Sequence, residues 1–284
     1  MFERIVLGMK MALGLHHPAR NLAVFPDDVF LLSYPKSGNT WTRFLVANLV
    51  CPEKRPDFSN INMIIPDPEA LSKRTLAKLP RPRILKSHEY FNPRYPRIIY
   101  IVRDPRDVVL SQYHFQMKRK VIDESYPLLE FVQKFVDGKT SIYGSWGENV
   151  AGWMATRYNT PDFLLLRYED MIADAPRELG KIADFLGIPR DPERISWAVE
   201  QSSAERMREL EKKQALNWTS TKNTRQDIPF VRTARSGNWR STLPESALAS
   251  IENAWGSLMQ WLHYELVTDQ RTSSAPSLLD AVTR

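Results

Sequence analysis

The chain predicts an α/β fold: a P-loop-like central parallel β-sheet flanked by helices on both faces. Three observations carry this. Four short apolar runs alternate with segments of helical character, the pattern of a parallel sheet covered on both sides. The first run, Val29–Tyr34, passes through the tight turn Pro35-Lys36-Ser37-Gly38 straight into a helix, an order that aims backbone N–H groups at an anion. Finally, Lys36-Ser37-Gly38, Lys86-Ser87-His88 and Arg103-Asp104 each follow a strand, where ligands of such sheets sit.

The elements follow in order. Val29 to Tyr34 is uninterruptedly apolar up to Ser33 and is stopped by Pro35, as for a buried strand. Trp41 to Val50 reads as a helix with Phe44, Leu45, Leu49 and Val50 on its apolar side. Cys51 to Arg83 is rich in proline and polar residues, a long connection with a little helix around Glu69 to Lys78. Arg83–Ser87 and Arg97–Val102 are the second and third strands, the latter broken by Asp104-Pro105. Helices are predicted at Asp107–Lys118, Leu128–Val136 and Glu148–Arg157, and a fourth strand at Asp162–Tyr168. Arg177–Leu186 is a helix closed by Gly187 at its C′ position, and Ser203–Lys212 is another. Lys213 to Pro244 lacks apolar periodicity; a loop that long inside a compact domain is usually functional. Glu245 to Leu266 is the last helix, followed by a mobile tail from Thr268.

The 284 residues, 43% hydrophobic and 25% charged, suit a single globular domain over 1–284, with a core of about 28–266 and an N-terminal extension at 1–27. Cys51 is the one cysteine, so no intramolecular disulfide can form, in keeping with a reducing, cytoplasmic location. It follows an apolar run without a nearby histidine and reads as a core or helix-end residue. The net charge of +6 suits anionic ligands, but no block of like charge is long enough for a nucleic-acid arm. Ile5 to Leu15 is too short to span a bilayer and is not followed by a signal-cleavage pattern. It reads as an amphipathic helix packing on the domain, with peripheral membrane contact the weaker alternative.

The first cluster offers backbone N–H groups, the Ser37 and Thr40 hydroxyls and the Lys36 ammonium. It lacks the GxxxxGK[ST] order, because Lys36 precedes Gly38. His88 at a strand end has the side-chain type of a general base. Arg103 at another strand end suits bidentate phosphate binding, and Ser111 lies two turns along the next helix. Each cluster alone has a bland counterpart: a solvated turn, a structural histidine, a salt-bridged corner. No carboxylate cluster with metal-ligand spacing is apparent.

Together, and in this order, the motifs resemble the cytosolic-type sulfotransferases, which use 3′-phosphoadenosine 5′-phosphosulfate (PAPS) and release PAP. The resemblance spans about Asp28 to Leu266. Tyr34-Pro35-Lys36-Ser37-Gly38-Asn39-Thr40-Trp41 is similar to the family's 5′-phosphosulfate loop. Ile101 to Val108, with Ser111, is similar to its 3′-phosphate segment. Leu166 to Met171 resembles the strand whose tyrosine, here Tyr168, sits by adenine. Phe230-Val231-Arg232 and Gly237-Asn238-Trp239 resemble the late loop that closes on the 3′-phosphate.

The resemblance implies that Lys36 binds the 5′ end and steadies the bridging oxygen, His88 takes the acceptor proton and Lys86 helps hold the sulfuryl group. Arg103, Ser111 and the segment Arg232-Thr233-Ala234 would hold the 3′-phosphate. Trp41 would stack on adenine, no metal would be needed, and the partner would be a small-molecule hydroxyl acceptor. The chain departs from the pattern at Asn39, where many relatives have threonine, and at Thr233-Ala234, where Lys-Gly is usual. Arg235 could replace the missing cation. Ala204 stands where an aromatic often sandwiches adenine, leaving stacking mainly to Trp41. Tyr90, Phe91, Phe115, Tyr143 and Trp146 are candidates for an apolar acceptor cavity, with core packing as the alternative for several. A nucleotide-dependent kinase would need a lysine after the glycine and a metal-binding carboxylate. A non-catalytic nucleotide-binding relative is the other alternative. Oligomeric state is open.

Overall fold

A computed structural model describes residues 22–216, 218, 220–232 and 234–268. The expected Ile5–Leu15 helix, Thr233 and the tail beyond Thr268 lie outside the described residues.

The four expected strands form one parallel sheet in the order β2-β1-β3-β4: β1 Val29–Ser33, β2 Ile84–Ser87, β3 Arg97–Val102 and β4 Phe163–Arg167. The register pairs Leu31 with both Lys86 and Ile99, and Val102 with Arg167, so all four strands end at one level. Every residue of β1 is buried, because both faces of this central strand are covered. The pleat splits its side chains between two apolar layers. Phe30 and Leu32 join Ile98, Tyr100, Trp146 and Trp153 on one face. Val29 and Leu31 join Phe44, Leu45, Ile99 and Ile182 on the other.

The helices are α1 Asn39–Val50, α2 Ile61–Ile64, α3 Lys73–Ala77, α4 Pro105–Lys118, α5 Leu128–Val136 and α6 Trp146–Arg157. They continue with α7 Tyr168–Ala173, α8 Ala175–Leu186, α9 Pro192–Gln201, α10 Ala204–Gln214, α11 Trp239–Thr242 and α12 Glu245–Trp261. Helices α1, α8 and α9 pack in the Leu31 layer, and α4, α5, α6 and α12 in the Phe30 layer.

Several boundaries differ from expectation for local reasons. Asp104-Pro105 ends β3 and at once begins α4: the Asp104 carboxylate caps the Arg106 N–H, and Pro105 occupies the first turn, where no N–H is needed. Ser145 and Glu148 form a reciprocal capping box that starts α6 at Trp146. Helix α9 was not anticipated, although Asp191 caps it and Pro192 opens it. The last helix ends at Trp261 rather than Leu266 and is broken at Trp255 by a non-helical φ of −138°. Gly187 does close α8 in the left-handed conformation.

Candidate active site

The ends of the strands converge on a cavity of about 800 Å³. Lys36, Gly38, Asn39, Thr40 and Trp41 reach it from the β1–α1 turn, and Lys86 and His88 from the end of β2. Arg103 and Ser111 reach it from β3 and α4, Tyr168 from the start of α7, and Arg232 and Ala234 from the late loop. Residues far apart in sequence thus share one wall, as the common level of the strand ends requires.

The turn is built around Gly38, whose φ of 99° places it in the left-handed region. A β-carbon there would also lie 2.5 Å from Cδ2 of Tyr168, so conformation and space both demand glycine. Lys36 has a positive φ of 71°, and its carbonyl accepts from the Arg103 guanidinium at 3.3 Å. The Lys36 ammonium lies 4.1 Å from the ring centroid of Phe115 and 4.3 Å from that of Phe230. Burial, then the Arg103 and Arg232 cations, push its pKa down to about 7. Asn39 turns inward, its Nδ2 donating to the Leu31 carbonyl at 3.1 Å. Its hydrogen bond therefore braces the turn against β1.

Arg103 ties three pieces together. Its guanidinium donates to the carbonyls of Lys36 and Arg235 and stacks over the Tyr168 ring at 4.3 Å. Its Nε and the Ser37 Oγ are buried and have no hydrogen-bond partner among the described residues. Buried donors of this kind are costly unless something accepts from them. With Lys36 and Arg232 close by, the chemistry of this end fits a phosphate-bearing anion. Trp41 is anchored by donation from Nε1 to the Ser202 carbonyl at 2.9 Å, and Ala204 lines the cavity nearby. Trp218 also lines it, an aromatic that the sequence reading did not single out.

The His88 Nδ1 lies 2.7 Å from the Ser33 carbonyl, which can only accept. The ring proton therefore sits on Nδ1, and Nε2 is the basic nitrogen. Burial and the Lys86 charge lower the His88 pKa to about 3, so the imidazole is neutral near pH 7. Lys86 is ion-paired with Asp67 at 2.8 Å, a partner not foreseen. Burial works to raise the Asp67 carboxyl, but the Lys86 and Arg43 cations hold it below its usual range.

The acceptor-lining candidates divide. Phe115 and Tyr143 line the cavity, and Tyr143 lies 5.7 Å from His88, ring to ring. Trp146 is instead fully buried, donating to the Arg103 carbonyl at 3.1 Å. Phe91 packs against Trp153, and Tyr90 is exposed. The Arg235 side chain is exposed, and only its carbonyl touches Arg103. Cys51 caps the end of α1 and lines a separate cavity of about 300 Å³ with Val29, Ile84 and Arg97, residues that open the strands. Burial raises its thiol pKa.

The late loop is pinned by side chains that no motif announced. Buried Lys118 donates to the carbonyls of Arg225 and Ile228. Glu211 accepts from the N–H groups of Phe230 and Val231, at 2.5 and 2.9 Å. Arg208 donates to the carbonyls of Val231 and Arg232. Asp107 accepts from the N–H groups of Gly237 and Trp239. The charge pattern of α4 and α10 could have flagged Lys118 and Glu211 only if the loop's path were known.

Among the described residues, no group of three or more His, Cys, Asp or Glu side chains could hold a metal ion. None of the described helices is long and apolar enough to cross a membrane.

Comparison with known proteins places this geometry in context. A family model described as "Sulfotransferase domain" matches residues 26–263. Sulfotransferase 1A1 of Rattus norvegicus is 31% identical over 245 residues, covering 79% of this chain and 82% of the relative. Sulfotransferase 2A1 of Homo sapiens is 30% identical over 230 residues, covering 76% and 78%. Among solved structures, retinol dehydratase in complex with androsterone and inactive cofactor PAP superposes with a TM-score of 0.69 at 22% identity, covering 87% of this chain and 84% of that one. A mouse sulfotransferase complexed with PAP gives 0.66 at 24% identity, covering 84% and 87%.

Proposed function

The chain belongs to the sulfotransferase domain family, and from that premise we propose that it moves the sulfuryl group of PAPS to a hydroxyl of a small-molecule acceptor by in-line transfer. One observation carries this reading. One cavity is lined by the cations Lys36, Arg103 and Arg232, by the buried, partnerless Nε of Arg103, and by a neutral His88 whose tautomer leaves Nε2 basic.

In the proposed reaction the acceptor oxygen forms a bond to sulfur while the bond from sulfur to the bridging oxygen breaks. The acceptor proton passes to His88 Nε2, a step of a kind that contributes roughly 10²–10⁴-fold. The electron pair leaves on the bridging oxygen, where Lys36 balances the charge. Lys86, held by Asp67, faces the same space and is assigned to the sulfuryl oxygens. Placed cations and N–H donors supply the main stabilisation of such a loose, charge-spread transition state. Arg103, Ser111, Arg232, Thr233 and Ala234 are assigned to the 3′-phosphate, Ser37, Gly38, Asn39 and Thr40 to the 5′ end, and Trp41 and Tyr168 to the adenine. The exposed Arg235 argues against its replacing the missing cation. Small-molecule acceptors are supported by the size of the cavity and by the retinol dehydratase structure, which holds androsterone. One domain over 1–284 and a cytoplasmic location belong to the same proposal.

Thermal shift with PAP tests the donor end: millimolar PAP should raise the melting temperature, and no shift would sink the donor assignment. Transfer of labelled sulfate from PAPS to a panel of phenols, sterols and glycosides should identify the acceptor class. His88→Ala should then lose turnover by roughly 10²–10⁴-fold with PAP binding intact; an undiminished rate would remove His88 from the mechanism.

A further inference from the structure

The environment of the Lys36 ammonium is unusual. The charges that act on it include the cations Arg103, Arg232 and Lys118 and the anion Glu211. Among the described residues no oxygen accepts a hydrogen bond from its Nζ. Two aromatic faces take that place: Phe115 on α4 and Phe230 on the late loop, at 4.1 and 4.3 Å from Nζ to the ring centroids. The rings stand nearly perpendicular to one another, at 81° with centroids 5.8 Å apart, so they approach Nζ as two walls. Ring faces attract a cation most when water is excluded.

Both walls are built rather than incidental. Phe115 belongs to a regular helix. Phe230 is fixed through its backbone, where its N–H is bound by Glu211 at 2.5 Å, and through its ring, which meets Trp218 at 4.7 Å and 84°. Trp218 in turn stacks on Phe58 at 4.2 Å, and Phe58 meets Phe44 in the core beneath the sheet at 5.0 Å. A chain of rings therefore runs from the core of the domain to the ammonium.

We propose that Phe115 and Phe230 form an aromatic cage that positions Lys36 for the transfer step. An ammonium has three N–H bonds on a flexible stem. Two ring faces engage two of those directions and leave one for an anionic ligand. The cage thus makes a mobile point charge into a single directed donor in a water-poor setting, where its interaction with developing negative charge is strongest. Phe115 and Phe230 are positioning residues: they act through Lys36. Because Phe230 rides on the late loop, the cage is complete only when that loop is seated. The inference rests on the proposed role of Lys36 at the leaving oxygen.

The test compares Phe115→Leu and Phe230→Leu, which keep apolar bulk but remove the ring face, with Phe115→Tyr and Phe230→Tyr, which keep it. In the full-length, donor-free protein, the Lys36 ε-methylene protons should show an upfield ring-current shift by NMR. Each leucine variant should diminish that shift, and each tyrosine variant should retain it. With PAPS and an active acceptor, the leucine variants should lose about tenfold or more in kcat. PAP affinity should stay within about threefold in both, and acceptor KM likewise in Phe230→Leu, and the tyrosine variants should recover turnover. Absence of the shift in the unsubstituted protein, full turnover in both leucine variants, or tyrosine variants no better than leucine would each overturn the cage. Failure of the sulfotransferase reading would show separately, as absent PAP binding, whereas the NMR signature needs no donor.

Discussion

His88 carries two separate pieces of information. The Ser33 carbonyl at 2.7 Å sets which nitrogen bears the proton, and burial beside Lys86 sets the pKa, down to about 3. The second has a consequence for stability. An unfolded histidine titrates near its ordinary value of 6.5. Between that value and about 3, the unfolded chain holds a proton that the folded one does not. The stability involved is therefore present in full above about pH 6.5 and drains away as the pH falls through the window. His114, lowered to about 4 by burial and then by Arg232, acts in the same direction. Each such proton contributes a slope of up to about 1.4 kcal/mol per pH unit. Denaturant unfolding at pH 7 and pH 5 should show a clear loss at the lower pH, and His88→Gln should reduce that loss. An equal loss in the variant would mean that His88 does not titrate as argued. At this scale the sequence was a good guide to identity and a poor one to environment. His88 and Lys36 stood out as strand-end residues, but Asp67 beside Lys86 did not, because their pairing depends on where a long proline-rich connection comes to rest.

The decisive element is the late loop. Its length and lack of apolar periodicity suggest a functional loop, but nothing in residues 213–244 says how it is held. Its anchors lie on other elements, Lys118 on α4 and Glu211 and Arg208 on α10, and they grip backbone atoms, whose positions leave no trace in residue identity. Hydrogen bonds from charged groups contribute about 1.5–3 kcal/mol each, and stranding a buried charge costs about 3–5 kcal/mol. Lys118→Met should therefore loosen the segment that carries Phe230 and Arg232. The expected result is a PAP dissociation constant weakened by about tenfold or more, with far-UV circular dichroism unchanged. Calorimetric titration with PAP checks this, and unaltered affinity would show that Lys118 does not hold the loop in place. By contrast, the β1–α1 turn was readable in advance. Gly38 has to adopt a left-handed φ and sit against Tyr168, and the short spacing between strand and helix leaves few other geometries. Local caps explain both α4, which begins where a break was expected, and α9, which had its signal in Asp191-Pro192.

Across the whole molecule, one parallel sheet separates two apolar layers and brings all its strand ends to one side. Leu31 is fully buried, packs in the layer of α1, and lies beside Lys86 and Ile99 in the register. Leu31→Ala should cost about 2–5 kcal/mol in stability, the range for a buried leucine whose cavity cannot fully collapse. The folded fraction should still bind PAP normally, since the change lies beneath the site; a normal unfolding midpoint would show that the layer repacks. By itself, the sequence determined the parallel α/β class, the four strands and the position of Lys36, His88 and Arg103 at strand ends, because short-range apolar patterning and strand-end position are local properties; Tyr168 was expected there only from the family resemblance. Only the tertiary structure decided that Trp146 belongs to the core and Phe115 to the cavity, that Asp67 pairs with Lys86, and that two rings distant in the chain enclose Lys36. Those outcomes depend on which surfaces meet once both faces of the sheet are covered, and residue type does not encode that meeting.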